Sequence, residues 1–97
     1  MIPDAVALCL YRVAQEAVQN VVKHSGATQA QVELVGSKSG IRLTISDDGA
    51  GFDMQTVRGN GSLGLVSMRE RVRVVNGQLT LDSTRGQGTR VEVQVLM

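Results

Sequence analysis

The sequence lacks several features that would each indicate a particular class of protein. With one cysteine among 97 residues, the chain cannot form an internal disulfide bond, so it suits a reducing compartment. Its formal net charge of +1 argues against a partner that requires a strong positive field, such as a long nucleic-acid duplex. No apolar run approaches the roughly 20 residues that span a bilayer. We therefore expect neither a transmembrane nor a signal segment within these residues.

The signature motifs of several enzyme classes are missing as well. The chain contains no G-x-x-x-x-G-K-[ST] phosphate loop, no C-x-x-C metal pair and no G-x-S-x-G nucleophile. Residues 59–64 match the G-x-G-x-x-G pattern of dinucleotide-binding proteins. That fingerprint requires a strand immediately before its first glycine, however, and residues 55–58 are too short and too polar to form one. We therefore reject a Rossmann fold.

The composition is typical of one small soluble domain, since 42% of the residues are hydrophobic and 20% are charged. Helical spacing predicts one helix from about residue 3 to about residue 26 and another from residue 65, ending at residues 76–77. Alternation of apolar and polar residues predicts two hairpins, with strands at 29–35 and 41–46 and at 79–82 and 91–95. Residues 47–61 have no sustained period, and a loop of this length usually has a function.

The first predicted helix has two distinct faces. With about 100° of rotation per residue, Glu16, Asn20 and Lys23 fall within an arc of roughly 60°. This polar stripe combines a carboxylate, a carboxamide and an ammonium group, and by itself it fits a binding face and an ordinary exposed face equally well. A broad apolar face beside it makes the helix a core element. That face consists of Leu10, Val13, Ala14, Ala17 and Val21.

The glycine-rich loop also permits a chemical interpretation. Asp47 ends a predicted strand and is followed by Gly49 and Gly51, which allow positive φ angles close to a ligand. A carboxylate held there can accept hydrogen bonds from an amine such as the exocyclic group of adenine. The alternative is an ordinary turn at a strand end, where Asp-Gly is common. Residues 59–64 lead directly into the second helix, so its unpaired backbone N–H groups can form a phosphate cradle.

Four motifs together resemble the bacterial sensor histidine kinases. Residues 16–24, E-x-x-x-N-x-x-K-H, resemble the N box of that family, and residues 47–52, DDGAGF, resemble its first glycine box. Residues 61–65, GSLGL, are similar to the second glycine box, and residues 86–89, GQGT, to the last. The order of the motifs is that of the family, and they cover nearly the whole chain. The short lid, and the absence of a separate phenylalanine box, further resemble kinases that pair with regulators of the nitrate-response and sugar-phosphate-transport type.

The resemblance implies the Bergerat ATP-binding fold, an α+β two-layer sandwich in which helices pack on one face of a mixed β-sheet. ATP would lie between the first helix, the end of the sheet and the lid. Residues 1–97 would then be the excised catalytic and ATP-binding domain of a larger kinase. Its dimerisation and phosphoacceptor domain and its sensor domain would lie outside this chain.

The resemblance also implies roles for individual residues. Glu16 would be the catalytic residue, a polarising or basic group near the transferred phosphoryl group, and Asn20 would bind Mg²⁺ and ATP. Asp47 would receive the adenine amine. Ser62 departs from the subfamily, where histidine is common. The other implied ATP-binding residues are Lys23 and His24 near the phosphates, Gly49, Gly51 and Thr89 around the base, and Gly61, Gly64 and Leu65 on the lid side.

The function implied by the resemblance is transfer of the γ-phosphoryl group of Mg-ATP to a histidine on a separate dimerising domain, and from there to a response regulator. His24 belongs to the N box and is not that acceptor. Neither nucleic acid nor direct membrane contact is expected, and the domain would be cytoplasmic, whether or not the full-length kinase has a membrane anchor. Three alternatives stay open: an ATP hydrolase of the same superfamily, an anti-sigma serine kinase, and a nucleotide-binding module without catalysis.

Overall fold

The computed structural model of the chain describes residues 2–22, 26–51 and 65–96. These residues form two helices and four strands. In chain order the elements are α1 (Asp4–Asn20), β1 (Ala30–Ser37), β2 (Gly40–Asp47), α2 (Leu65–Val74), β3 (Gln78–Thr84) and β4 (Gly88–Leu96). The predicted order of helices and hairpins is confirmed. Of the predicted loop, residues 52–61 lie outside the described residues.

Local chemistry explains where the helices begin and end. α1 begins directly after Pro3, whose φ of -57° suits a helix start, and Asp4 places a carboxylate in the first turn, where the helix dipole favours it. α2 ends at Val74 and is followed closely by Asn76, which has a left-handed φ of 58°. The N–H of Asn76 donates to the carbonyl of Arg73, and that of the next residue donates to the carbonyl of Val72. These two bonds form a Schellman motif, which ends the helix as the sequence predicted.

The four strands form one sheet in the order β1-β2-β4-β3, and all neighbouring strands are antiparallel. The expected two-layer α+β arrangement is confirmed, whereas the expectation of a mixed sheet does not hold for the described strands. β2 and β3 do run in the same direction, because each is antiparallel to β4, but β4 lies between them. It takes this central position because its alternating valines, Val91, Val93 and Val95, are almost fully buried.

The helices cover one face of the sheet, and the core lies between these two layers. The sheet contributes Ile41, Leu43, Ile45, Leu81, Val91, Val93 and Val95 to the core, and the helices contribute Val6, Cys9, Leu10, Val13, Ala17, Met68 and Val72. Burial raises the pKa of the Cys9 thiol, with a smaller opposing effect from the charge of Arg71. Cys9 is therefore a small core residue.

Leu43 and Leu34 provide a matched test of this core, since they lie opposite each other on β2 and β1 and share a face of the sheet. Leu43 is 4% exposed and Leu34 is 57% exposed. We expect Leu43→Ala to lower the free energy of unfolding by about 2–5 kcal/mol, because it removes apolar burial and leaves a cavity. Leu34→Ala should cost less than about 1 kcal/mol. Urea denaturation followed by circular dichroism measures both, and equal losses would contradict the assignment of the core.

Candidate functional site

Three polar side chains form a row across one end of the sheet. Thr89 on β4 lies opposite Asp47 on β2 and opposite Ser83 on β3. Because side chains alternate along a strand, each of these three side chains lies on the same side of the sheet as the buried residue two positions away from it. That is the side that the helices cover. All three are half-buried, and they contribute to a groove of about 290 Å³ at this end of the sheet, which is also lined by Ser46, Asp82 and Arg90 from the opposite side of the sheet. We call Asp47, Thr89 and Ser83 the polar row.

Two members of the polar row are hydrogen-bonded to each other through their hydroxyl groups. Ser83 Oγ and Thr89 Oγ1 are 2.9 Å apart. Ser83 Oγ also donates to the backbone carbonyl oxygen of Gly88, 3.2 Å away. These bonds fix the two hydroxyl groups relative to the start of β4.

The carboxylate of Asp47 is held by the backbone that directly follows β2. Its Oδ1 accepts a hydrogen bond of 2.8 Å from the backbone N–H of Gly49. Among the described residues this is the single hydrogen bond of the Asp47 carboxylate. A carboxylate can accept about four hydrogen bonds, so most of its acceptor capacity is not used by the described residues.

Close backbone contacts join the first glycine-rich motif to the turn between β3 and β4. The N–H of Gly86 donates to the carbonyl oxygen of Ala50 at 2.6 Å. Gly51 has a φ of 65°, and a Cβ there would overlap the carbonyl oxygen of Gly88. Gly88 has a φ of 87°, and a Cβ there would overlap the carbonyl oxygen of Asp47. Both positions require glycine, for their backbone conformation and for the close approach of the two segments.

Asp48 ties the connection after α1 to the same end of the sheet. Its Oδ1 accepts from the backbone N–H groups of Thr28 and Gln29 at 2.9 and 3.0 Å, and its Oδ2 accepts from the Thr28 hydroxyl at 2.7 Å. These hydrogen bonds, with that from the Thr28 side chain first, lower the pKa of Asp48, because they favour the charged form.

Glu16 and Asn20 lie one turn apart on α1, and both side chains are half-buried. From Asn20 the chain leads through residues 21–27 to Thr28, which is hydrogen-bonded to Asp48. Within the described part of the chain, no group of three or more His, Cys, Asp or Glu side chains could hold a metal ion.

The structure brings together some of the expected site residues and does not place others. Those that meet at the sheet end are Asp47, Gly49, Gly51 and Thr89. Those outside the described residues are Lys23, His24, Gly61 and Gly64, together with the side chain of Leu65, whose backbone begins α2.

Two residues at this end of the sheet, Ser83 and Asp48, were not among the expected site residues. Ser83 carried a signal, because it is a polar residue at a position of β3 where the alternation with Leu79 and Leu81 predicts an apolar one. Asp48 carried no such signal in the sequence, because its hydrogen-bond partners lie 19 and 20 positions earlier in the chain.

Comparison with known proteins identifies the family of this chain. The sequence pattern of the family described as histidine kinase-, DNA gyrase B- and HSP90-like ATPase matches residues 5–97. The chain belongs to this family. It is 39% identical over 93 residues to the histidine-protein kinase/phosphatase DegS of Brevibacillus brevis, covering 96% of this chain and 24% of DegS. It is 42% identical over 86 residues to the sensor histidine kinase LiaS of Bacillus subtilis, covering 89% of this chain and 24% of LiaS. The chain thus spans about a quarter of the length of these relatives.

Solved structures confirm the fold of the domain. The blue-light activated histidine kinase of Erythrobacter litoralis EL346 matches with a TM-score of 0.81 at 22% identity, over 97% of this chain and 31% of that one. The ATP binding domain of PrrB from Mycobacterium tuberculosis matches with a TM-score of 0.65 at 24% identity, over 98% of this chain and 68% of that one. The chain therefore has the fold of a histidine kinase ATP-binding domain. None of its described helices is both long and apolar enough to cross a membrane.

The lowered pKa of Asp48 predicts how stability depends on pH. Because its pKa is lower in the folded state, the stabilisation is fully present above the unfolded-state pKa and is lost as the pH falls through the folded-state pKa. Asp48→Asn should be less stable than the parent at pH 7, and the difference should shrink between roughly pH 5 and pH 2. Urea denaturation at a series of pH values measures this. Asp82→Asn, at an exposed position on β3, is the control, and identical pH profiles for the Asp48 variant and the parent would contradict the prediction.

Proposed function

We propose that this chain is the catalytic and ATP-binding domain of a sensor histidine kinase. It binds Mg-ATP and transfers the γ-phosphoryl group to a histidine on a separate dimerising domain, from which the group passes to a response regulator. The observation that carries the proposal is the carboxylate of Asp47 beside Thr89, held at the sheet end by two interlocked glycine motifs. The match to the histidine kinase-type ATPase family supports it.

Asp47 is assigned to the adenine base. Its half-buried carboxylate lies at the end of the sheet and keeps acceptor capacity for the exocyclic amine after its bond to Gly49. A guanine base would place a carbonyl oxygen in the same position, where a carboxylate repels it. Thr89 borders the same position from β4. The domain should therefore prefer ATP to GTP.

Asn20 and Glu16 are assigned to the phosphate end of the nucleotide. A carboxamide oxygen suits Mg²⁺, which accepts few protein ligands and fills its remaining positions with phosphate oxygens and water. Asn20 supplies one such oxygen from a half-buried position near the end of α1. When bound, Mg²⁺ neutralises phosphate charge. Glu16 would polarise or deprotonate the attacking group. The remaining proposed ATP contacts are Lys23, His24, Gly49, Gly51, Gly61, Gly64 and Leu65.

The partner that this function requires is the phosphoacceptor domain of the same kinase. A histidine acceptor is favoured over water or serine, because the named relatives are histidine kinases. The alternative functions differ in the acceptor: water as the acceptor would mean ATP hydrolysis, and serine would mean anti-sigma serine phosphorylation. A net charge of +1 gives no reason to propose nucleic acid or an anionic membrane surface as a partner. The supply of ATP and the single cysteine suit the cytoplasm.

We expect Asp47→Ala to weaken ATP binding by about ten- to a hundredfold, because a charge-assisted hydrogen bond contributes about 1.5–3 kcal/mol. Isothermal titration calorimetry measures the affinity. Asp47→Asn should also weaken binding, although its carbonyl oxygen can still accept from Gly49.

The matched control is Asp4→Ala, which removes an exposed aspartate at the far end of α1, about 24 Å along the helix from Asn20. Its affinity for ATP should equal that of the parent. If the Asp47 variants also bind ATP as the parent does, the adenine assignment is wrong.

Incubation with γ-labelled ATP tests the phosphoryl transfer itself. The chain alone should acquire no stable label and should release phosphate slowly, because a transferase site gains from excluding water as a nucleophile. Adding the phosphoacceptor domain of the same kinase in trans should give a labelled histidine on that domain. Transfer should be weak, because the effective concentration of the tethered kinase is lost.

Acid and base treatment of the product distinguishes phosphohistidine from phosphoserine. Labelling of a serine would support the anti-sigma alternative. Rapid phosphate release without a partner would support a self-sufficient hydrolase instead.

A further inference from the structure

Asp48 lies between Asp47 and the group that orients the Asp47 carboxylate, yet the proposed function gives it no part in binding. That group is the backbone N–H of Gly49, which donates to Asp47 Oδ1 at 2.8 Å. The peptide between residues 48 and 49 is planar and turns as one unit, so the backbone of Asp48 sets the direction of this N–H. Contacts that hold Asp48 therefore also hold the Asp47 carboxylate.

Four hydrogen bonds hold Asp48 from the side of β1. Its N–H donates to the carbonyl oxygen of Gln29 at 3.2 Å, one residue beyond the pairing of Ala30 with Asp47. Its carboxylate accepts from the N–H groups of Thr28 and Gln29 at 2.9 and 3.0 Å and from the Thr28 hydroxyl at 2.7 Å. We call these four bonds the Asp48 clamp.

The start of β4 holds the same stretch of backbone from the other side. A Cβ at Gly88 would overlap the carbonyl oxygen of Asp47 and would lie 3.2 Å from the Cα of Asp48. The end of β2 is therefore enclosed between β4 and the segment that leads into β1. Loss of the Asp48 clamp would release one of these two supports.

We propose that Asp48 is a positioning residue for nucleotide binding, because the Asp48 clamp fixes the turn that directs the Asp47 carboxylate to the adenine amine. This inference rests on the proposed function, since it requires the base to bind at Asp47. Asp48 acts through Asp47 and does not itself touch the base, since its carboxylate is turned to residues 28 and 29.

Calorimetric titration of the 97-residue chain with ATP tests this role in two backgrounds. Asp48→Ala removes the three bonds of the carboxylate and should weaken ATP binding by about three- to tenfold, the effect of one ordinary hydrogen bond. With Asp47→Ala already in place, the same change should weaken binding by less than about twofold, because the carboxylate that Asp48 positions is gone. Asp4→Ala again serves as the control and should bind as the parent does.

Inosine triphosphate provides a second measurement, since its base has a carbonyl oxygen at position 6, where ATP has the amino group. This base cannot donate to Asp47 from that position. Asp48→Ala should therefore change the affinity for inosine triphosphate by less than about twofold, and the preference for ATP should fall.

Two further substitutions grade the Asp48 clamp. Asp48→Asn keeps an oxygen that can accept from both backbone N–H groups, and its affinity for ATP should stay within about twofold of that of the parent. Thr28→Val removes one bond and keeps a branched side chain, so its loss should lie between those of Asp48→Asn and Asp48→Ala. Thermal unfolding identifies any variant that does not fold, and Thr28→Val replaces Asp48→Ala in both backgrounds in that case.

The outcomes distinguish this inference from the proposed function. If the parent chain does not bind ATP, the proposed function fails. If the parent binds ATP and Asp47→Ala weakens binding, but the folded clamp variants bind as the parent does, the role of Asp48 is overturned while the proposed function stands. Equal losses in both backgrounds, or for both nucleotides, would also overturn it, because they indicate a general structural role.

Discussion

The pairing of β2 with β4 is the contact on which the rest of the structure depends. Each hairpin is formed by residues close in sequence, but a two-stranded hairpin alone is marginal in water. Joining β2 to β4 gives a four-stranded sheet with a continuous apolar face, which the helices cover. The same register places Ile45 opposite Val91 in the core and Asp47 opposite Thr89 at the sheet end. Core and site therefore come from one pairing, and a slip of one residue would disrupt both.

Glycine controls the end of this pairing. At Gly88 the chain enters β4 with a positive φ and with no room for a Cβ beside the carbonyl of Asp47. The carbonyl of Gly88 also receives the hydrogen of Ser83. A side chain at this position would therefore do more than strain the turn, because it would separate the strand that carries Asp47 from the two hydroxyl groups beside it. The last glycine motif is thus part of the polar row's support as well as a turn.

The parts of the fold that the sequence predicted are those determined by local chemistry. The alternation in β2 and β4 and the termination of α2 by Asn76 each depend on residues close together in the chain. The antiparallel sheet was not predicted, because the place of β4 between β2 and β3 depends on how the whole apolar face is buried. In the site, Asp47 was a candidate from the residues alone, with an ordinary turn left as the alternative, whereas Thr89 came from the resemblance to a family. The roles of Lys23 and the lid glycines stay predictions.

The two adjacent carboxylates at the end of β2 differ in their roles, because the geometry of the strand gives them different surroundings. Asp47 lies on the helix-covered side of the sheet with Ile45 and accepts one hydrogen bond among the described residues, from Gly49. Asp48 follows beyond the strand end and accepts three hydrogen bonds from the segment that leads into β1. The hydrogen-bond acceptor capacity of Asp48 is used by the protein, whereas most of the acceptor capacity of Asp47 is not used by the described residues. The two residues have the same chemistry, so their positions rather than their identity decide which carboxylate holds the scaffold together and which can recognise a ligand.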